Sequence, residues 1–214
     1  MINCISKISK YAALSLIFLI TGSQAMAQRQ MENLDRGVVA IRKANDSVYV
    51  GWRLPGTEPE QITFNVYRQS GSEKPVRLNK TPIKESTNYE DGKLDFTKDN
   101  SYFVKAVLNG TEQPASKAFT IRANSPAQQF INIPLKTPVG YTPNDVSVGD
   151  LDGDGEYEII LHQTGRGIDN PSTGISGIPI FQAYKMDGTL LWEINLGKNI
   201  REGAHYTQVM VYDL

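Results

Sequence analysis

Between about Asp35 and Ala123, apolar and polar positions alternate in short runs separated by turn residues. Val48, Val50 and Trp52 fall on one side of Ser47–Trp52, and Ile62, Phe64 and Val66 on one side of Ile62–Arg68. Tyr102, Val104 and Ala106 repeat the pattern, and Ala118 to Ile121 reads as a closing strand. A period of two residues is that of a half-buried strand. Pro55-Gly56, Gly71-Ser72, Asp91-Gly92 and Asn109-Gly110 supply the turn chemistry between the runs. About seven strands in roughly ninety residues predicts a β-sandwich of the fibronectin III or immunoglobulin type over residues 28–123. Trp52 and Tyr102 fall on alternating inner faces, which assigns them to its core rather than to a sugar-stacking surface.

The pattern then changes. Asn124 to Pro138 carries Pro126, Pro134 and Pro138 and reads as a linker, with Phe130, Ile131 and Ile133 as one edge strand. Val146–Gly149 and Ile159–Leu161 are strand-like runs around an acidic loop. Phe181–Met186 and Thr189–Ile194 flank Asp187-Gly188, the composition of a type I′ hairpin. Val209-Met210-Val211-Tyr212-Asp213-Leu214 has the form of Val146-Ser147-Val148-Gly149-Asp150-Leu151, shifted by 63 positions. Such a recurrence is expected of a repeated β-propeller blade. A propeller closes only with about four or more blades. The expected fold is therefore all-β, a sandwich followed by the start of a calcium-loop propeller. Residues 124–214 would be the linker, the first blade and the start of a second. The chain would then be the front portion of a longer protein or a truncated product.

The acidic loop is Asp150-Leu151-Asp152-Gly153-Asp154-Gly155-Glu156-Tyr157-Glu158. Carboxylates at its first, third, fifth and ninth positions, with Gly at the sixth for the sharp turn, suit a hard cation that takes several oxygen ligands. Because strands flank it and position twelve is Leu161, it is not a helix–loop–helix EF-hand. Asp150, Asp152, Asp154, Glu156 and Glu158 are the candidate calcium ligands; the competing reading is a solvated Asp/Gly turn.

Residues 1–27 read as a secretory signal peptide, with Lys7 and Lys10, an apolar run from Tyr11 to Ile20, and Ala25-Met26-Ala27 as the cleavage site. The run is too short to span a bilayer. Export to the periplasm, cell surface or medium is therefore expected. The chain's one cysteine, Cys4, would leave with the leader, so the mature protein would have neither disulfide nor thiolate catalyst. A net charge of −1 over 214 residues gives no electrostatic reason to expect nucleic acid or a membrane surface as partner.

Three stretches, Gly149–Ile160, Ala183–Trp192 and Asn199–Leu214, together with Val50–Arg53 and Phe64–Arg68, closely resemble rhamnogalacturonan lyases of polysaccharide lyase family 11. The resemblance implies a fibronectin-like domain followed by a propeller rich in calcium loops. It also implies β-elimination in the rhamnose–galacturonate backbone of pectin, with rhamnogalacturonan I as substrate. Calcium would brace its loop rather than meet the substrate. Asn144 and Asp145 match a family segment that reaches the groove. Arg166 is either a contact to an anionic sugar or a solvated loop residue. His205 is either a general base, by its suitable pKa class, or a histidine hydrogen-bonded at a blade edge. Some relatives carry Trp-Asp where this chain has Gln163-Thr164, so one groove carboxylate of theirs is Thr164 here. Most of the groove and the base would come from beyond Leu214, and the fragment would be inactive. The alternative reading is a non-catalytic, calcium-dependent carbohydrate-binding or adhesion protein of the integrin-like propeller type, since fold alone does not assign function.

Overall fold

The structure, a computed structural model, describes residues 33–169, 171–203 and 207–212. The expected leader with Cys4, and also His205, Asp213 and Leu214, lie outside these residues. Every regular element among the described residues is a strand, as the alternation predicts.

The first eight strands are β1 (Val39–Arg42), β2 (Ser47–Gly51), β3 (Thr63–Ser70), β4 (Val76–Arg77), β5 (Asn88–Gly92), β6 (Asn100–Leu108), β7 (Thr111–Ala115) and β8 (Phe119–Ile121). They form two antiparallel sheets, β1-β2-β5 and β4-β3-β6-β7, with β8 also pairing β6. Val48, Val50, Phe64, Val66, Tyr102 and Val104 face one another between the sheets and are almost wholly buried. Trp52 meets Phe64 edge-on at 5.5 Å between ring centroids, so the sequence's assignment of Trp52 and Tyr102 to the core holds. Asn109-Gly110 joins β6 to β7 with both residues at positive φ (50° and 78°), the geometry of a type I′ turn.

One acid lies inside this core. Asp91 is buried, and its Oδ2 accepts from the Tyr102 hydroxyl at 2.9 Å and from the Arg68 guanidinium. Pairing is what makes a buried carboxylate tolerable. At the sandwich surface Glu112 accepts from the Tyr67 hydroxyl, Asn65 Nδ2 and Lys105 Nζ. These contacts, the Tyr67 hydroxyl foremost, lower its carboxyl from 4.5 to about 2. A pKa depressed by folding gives stability that is full above pH 4.5 and is lost as pH falls through about 2. Glu112→Gln is expected to flatten that part of the acid-unfolding slope, measured by urea titrations across this pH range. The cost at neutral pH should be about 0.5–1 kcal/mol, because the group is partly exposed and its field is screened.

Beyond the sandwich and its two sheets lies one further sheet, called the second sheet from here on because it forms the second half of the chain: β9 (Thr142–Gly149), β10 (Glu158–Thr164), β11 (Ile180–Tyr184) and β12 (Leu190–Asn195) in the order β12-β11-β10-β9, all antiparallel. It has a core of its own. Ile160, Phe181 and Ala183 point to one face and are covered by Leu196, Val209 and Val211 among others. Gln163, Gln182 and Tyr184 point to the other face, where Lys136 and Thr137 of the incoming segment lie across them.

Three expectations are corrected here. Phe130–Ile133 is not a strand, and the segment leading from it crosses the second sheet instead. Its backbone groups bond to side chains rather than to a ladder: Lys136 N–H to the Tyr184 hydroxyl at 2.9 Å, Lys136 C=O from Gln182 Nε2 at 3.0 Å. The Asp187-Gly188 hairpin is not type I′, because Gly188 alone takes positive φ (88°). Gly188 N–H closes on Lys185 C=O at 2.9 Å and the register shifts at Ala183/Tyr184, making a longer loop with glycine at its left-handed position. Residues 207–212 carry the alternation of β9 but form no strand. Val209 and Val211 still bury inward, and Val211 N–H donates to Ser147 Oγ at 3.1 Å, without any ladder partner among the described residues.

Candidate metal loop and sheet edge

The loop between β9 and β10 is folded around its own carboxylates. Asp150 Oδ1 accepts from the backbone N–H of Gly153 (2.8 Å) and Asp154 (3.1 Å), and Oδ2 from that of Gly155 (2.9 Å). Asp152 Oδ1 accepts from Asp154 N–H, and Asp154 Oδ1 from Glu156 N–H. Glu158, at the start of β10, is 1% exposed and accepts from Leu151 N–H at 2.8 Å. Asp150, Asp152 and Glu158 each offer one oxygen, and the three oxygens lie within 4.8 Å of one another. Oxygens at 2.3–2.6 Å from a common ion, as in calcium sites, would be that close.

The donor set fits a hard divalent cation, and a cation already stands beside it. Lys185 Nζ lies 2.6 Å from Asp152 Oδ2 and 3.2 Å from Asp154 Oδ2. Those two hydrogen bonds, Asp152's first, raise the pKa of Lys185. Asp154 is held low by the Glu156 N–H and then by Lys185. Burial raises Glu158, which is what an enclosed carboxylate does without a full counter-charge. The five acids singled out in the sequence therefore divide. Asp150, Asp152 and Glu158 converge, whereas Asp154 also reaches Lys117 (3.4 Å), and Glu156, raised by burial, pairs with Arg53 at 3.5 Å.

The substrate-contact candidates are elsewhere. Gln163 pairs with Pro143 but Leu161 with Val146, so Asn144 and Asp145 together oppose the single residue His162. This is a β-bulge, a feature that re-aims side chains and recurs beside active sites. Asn144 and Asp145 are both exposed on it, and Arg166 is exposed in the loop after β10. Glu158 and Thr164 mark the two ends of β10, roughly 20 Å apart at the rise of a strand. The acidic loop and the Asn144/Thr164 end therefore do not share a site.

Behind the bulge lies a buried polar row that sequence reasoning did not find. His162 Nε2 and Glu202 Oε2 are 3.0 Å apart, with side chains 2% and 1% exposed. Glu202 Oε1 accepts from Thr207 Oγ1 at 3.3 Å, Glu202 N–H donates to Ser176 Oγ, and the His162 ring lies 5.1 Å from that of Phe181. On the opposite face Gln163 donates to Gln182 Oε1 at 2.7 Å, and Gln182 donates to Glu193. Gln163 Oε1 is buried with no partner among the described residues. The available signal was the polar triplet His162-Gln163-Thr164 continuing an apolar strand. Glu202, forty positions on, gives no local sign of its destination.

Comparison with known proteins follows this division of the chain. Residues 29–121 match the family model "Rhamnogalacturonan I lyases beta-sheet domain", and residues 120–214 match "Rhamnogalacturonan lyase family 11, C-terminal domain". The Bacillus subtilis (strain 168) rhamnogalacturonan endolyase YesW is 45% identical over 216 residues, covering 93% of this chain and 33% of that protein. The exolyase YesX of the same organism is 44% identical, covering 87% and 30%. The solved Bacillus licheniformis rhamnogalacturonan lyase PL11 superposes with a TM-score of 0.74 at 48% identity, over 86% of this chain and 32% of that one. The chain thus spans about a third of the length of the curated relatives it matches. With both matched domains in order and near 45% identity across them, the chain belongs to rhamnogalacturonan lyase family 11.

Proposed function

We propose that this chain is part of an exported rhamnogalacturonan lyase, supplying a fibronectin III-like domain (28–123) and the first blade of a calcium-braced β-propeller. The observation that carries the reading is the likeness to lyases named for rhamnogalacturonan across both domains. The strand order β1-β2-β5 against β4-β3-β6-β7 supports the first part. The four consecutive antiparallel strands β9 to β12 suit a blade.

In the proposed β-elimination, a base removes the C5 proton of a galacturonate residue, a double bond forms between C4 and C5, and the C4–oxygen bond breaks. The departing oxygen takes up a proton. Charge accumulates on the adjacent carboxylate, so cationic or hydrogen-bonding groups must meet it there. The exposed Asn144 amide and Arg166 guanidinium at the Thr164 end of the second sheet are suited to hold the polymer's carboxylates and hydroxyls. Calcium, when bound by Asp150, Asp152 and Glu158, supplies charge neutralisation to the loop and no contact at that end, a strand's length away. Glu158 is too enclosed to serve as the base. Neither Asn144 nor Arg166 is a base at neutral pH. We keep Asp145, exposed beside Asn144, as a substrate contact and assign the proton acceptor to His205 or to segments that the relatives carry outside the matched third.

The test is formation of unsaturated uronate from rhamnogalacturonan I, followed by ultraviolet absorbance with and without a chelator. The longest product of the gene is expected to give a calcium-dependent signal, and residues 28–214 alone none. A longer product that binds the polymer without generating unsaturated ends would overturn the lyase reading in favour of a binding protein.

A further inference from the structure

The acidic loop has two halves with different neighbours, and the second half is held by the sandwich. The Gly155 carbonyl accepts from Asp35 N–H at 2.8 Å and from Arg53 Nη1 at 3.1 Å. The same Arg53 nitrogen donates to Asp35 C=O at 3.2 Å. Its guanidinium lies 4.2 Å from the centre of the Tyr157 ring and reaches Glu156. From the loop between β7 and β8, Lys117 Nζ pairs with Asp154, while Lys117 N–H donates to Asp35 Oδ2 at 2.9 Å. Contact is close enough to require the glycine: a Cβ on Gly155, at φ 85°, would fall 2.9 Å from Asp35 N. Asp150, meanwhile, accepts from the N–H of that same Gly155. One peptide group thus has its N–H side committed to a metal-facing carboxylate and the next carbonyl committed to another domain.

We propose that Arg53, with Lys117, is a positioning residue for the metal loop: the sandwich clamps Asp154–Tyr157 so that Asp150, Asp152 and Glu158 are already gathered when the ion arrives. The inference rests on the metal reading above. Fixing backbone costs entropy, and a loop already fixed by its neighbour does not bear that cost on binding. Linkage then works in both directions, so bound ion must tighten the junction by the factor by which the junction tightens the ion. Neither Arg53 nor Lys117 touches the proposed ligand oxygens of Asp150, Asp152 or Glu158, so their effect is transmitted through Gly155 and Asp154.

The experiment is calorimetric titration of the full chain with calcium alone, comparing wild type with Arg53→Ala, Arg53→Lys and Lys117→Met. Hydrogen exchange at the Asp35 amide is followed with and without the ion. Coupling of the usual size predicts an affinity about tenfold weaker in Arg53→Ala, partial recovery in Arg53→Lys, and a smaller loss in Lys117→Met. Calcium should protect the Asp35 amide in wild type, and less so in Arg53→Ala. Circular dichroism checks that each variant is folded; should Arg53→Ala fail, Lys117→Met, in the separate loop between β7 and β8, decides the matter. Folded variants that bind calcium as wild type does, with Asp35 protection independent of the ion, overturn the clamp and leave the metal site standing. A wild-type chain that takes up no calcium overturns both.

Discussion

Asp150→Ala is expected to abolish measurable calcium uptake and to loosen the loop even without the ion. The residue contributes a ligand oxygen to the converging trio and also accepts three backbone N–H groups, from Gly153, Asp154 and Gly155. Alanine removes both roles at once. Loss of one carboxylate from such a set should weaken binding by about 100-fold or more, near 2.7 kcal/mol. Each deserted N–H adds up to about 1 kcal/mol, less where water can replace the acceptor. Titration with calcium reads the first effect. Urea unfolding in chelator reads the second, where any difference from wild type must come from the backbone bonds alone. An Asp150→Ala chain that binds calcium with wild-type affinity would remove the loop from consideration as the metal site.

Glu202→Ala is expected to be the most damaging change to the second sheet. Glu202 meets β10 through His162 and, on its other oxygen, accepts from Thr207, with both members of the His162 pair wholly enclosed. Truncation leaves the imidazole without its 3.0 Å partner, in a place that solvent does not reach, and opens a space beside it. Leaving a buried polar group without its partner costs about 1–3 kcal/mol, and the space vacated by the side chain adds to it. Glu202→Gln keeps the shape and one oxygen acceptor and should cost less, on the order of 1 kcal/mol. The check is the urea midpoint of the second-sheet transition, with the Trp192 environment as probe. Equal effects of alanine and glutamine would mean that the contact is volume-filling and not a hydrogen bond. Cover of Ile160, Phe181 and Ala183 by Val209 and Val211 should be lost along with the pairing.

What could be read in advance was what is local. The period-two alternation of Val48-Val50-Trp52 and of Tyr102-Val104-Ala106 depends only on one face being dry, and both sets lie in the sandwich core. The Asp-x-Asp-x-Asp-Gly spacing fixes a turn by its own side-chain-to-backbone bonds, and the loop folds onto Asp150 as that spacing demands. The failures came where a distant partner decides. Phe130–Ile133 has the residues of a strand, but Lys136 beyond it finds its hydrogen bonds on Gln182 and Tyr184. Asp187-Gly188 has the composition of a two-residue turn, yet the register shift at Tyr184 lengthens it. Which of five acids turn toward one another and which toward Arg53 or Lys117 is set by the neighbouring domain, by residues 103 and 37 positions away in the chain. No window of sequence contains that information.

The two-against-one pairing of Asn144 and Asp145 with His162 has a consequence for solubility. β9 is the outermost strand of its sheet among the described residues, and it carries Val146 and Val148 half open to water. A flat margin of that kind would recruit stray extended chains and seed precipitation. The extra residue kinks the margin and breaks the even spacing of its free donors and acceptors, while Asp145 adds a charge that a foreign strand would have to bury. Deleting either residue of the pair should therefore do more than displace a side chain: it would straighten the border and turn a well-behaved surface into an adhesive one.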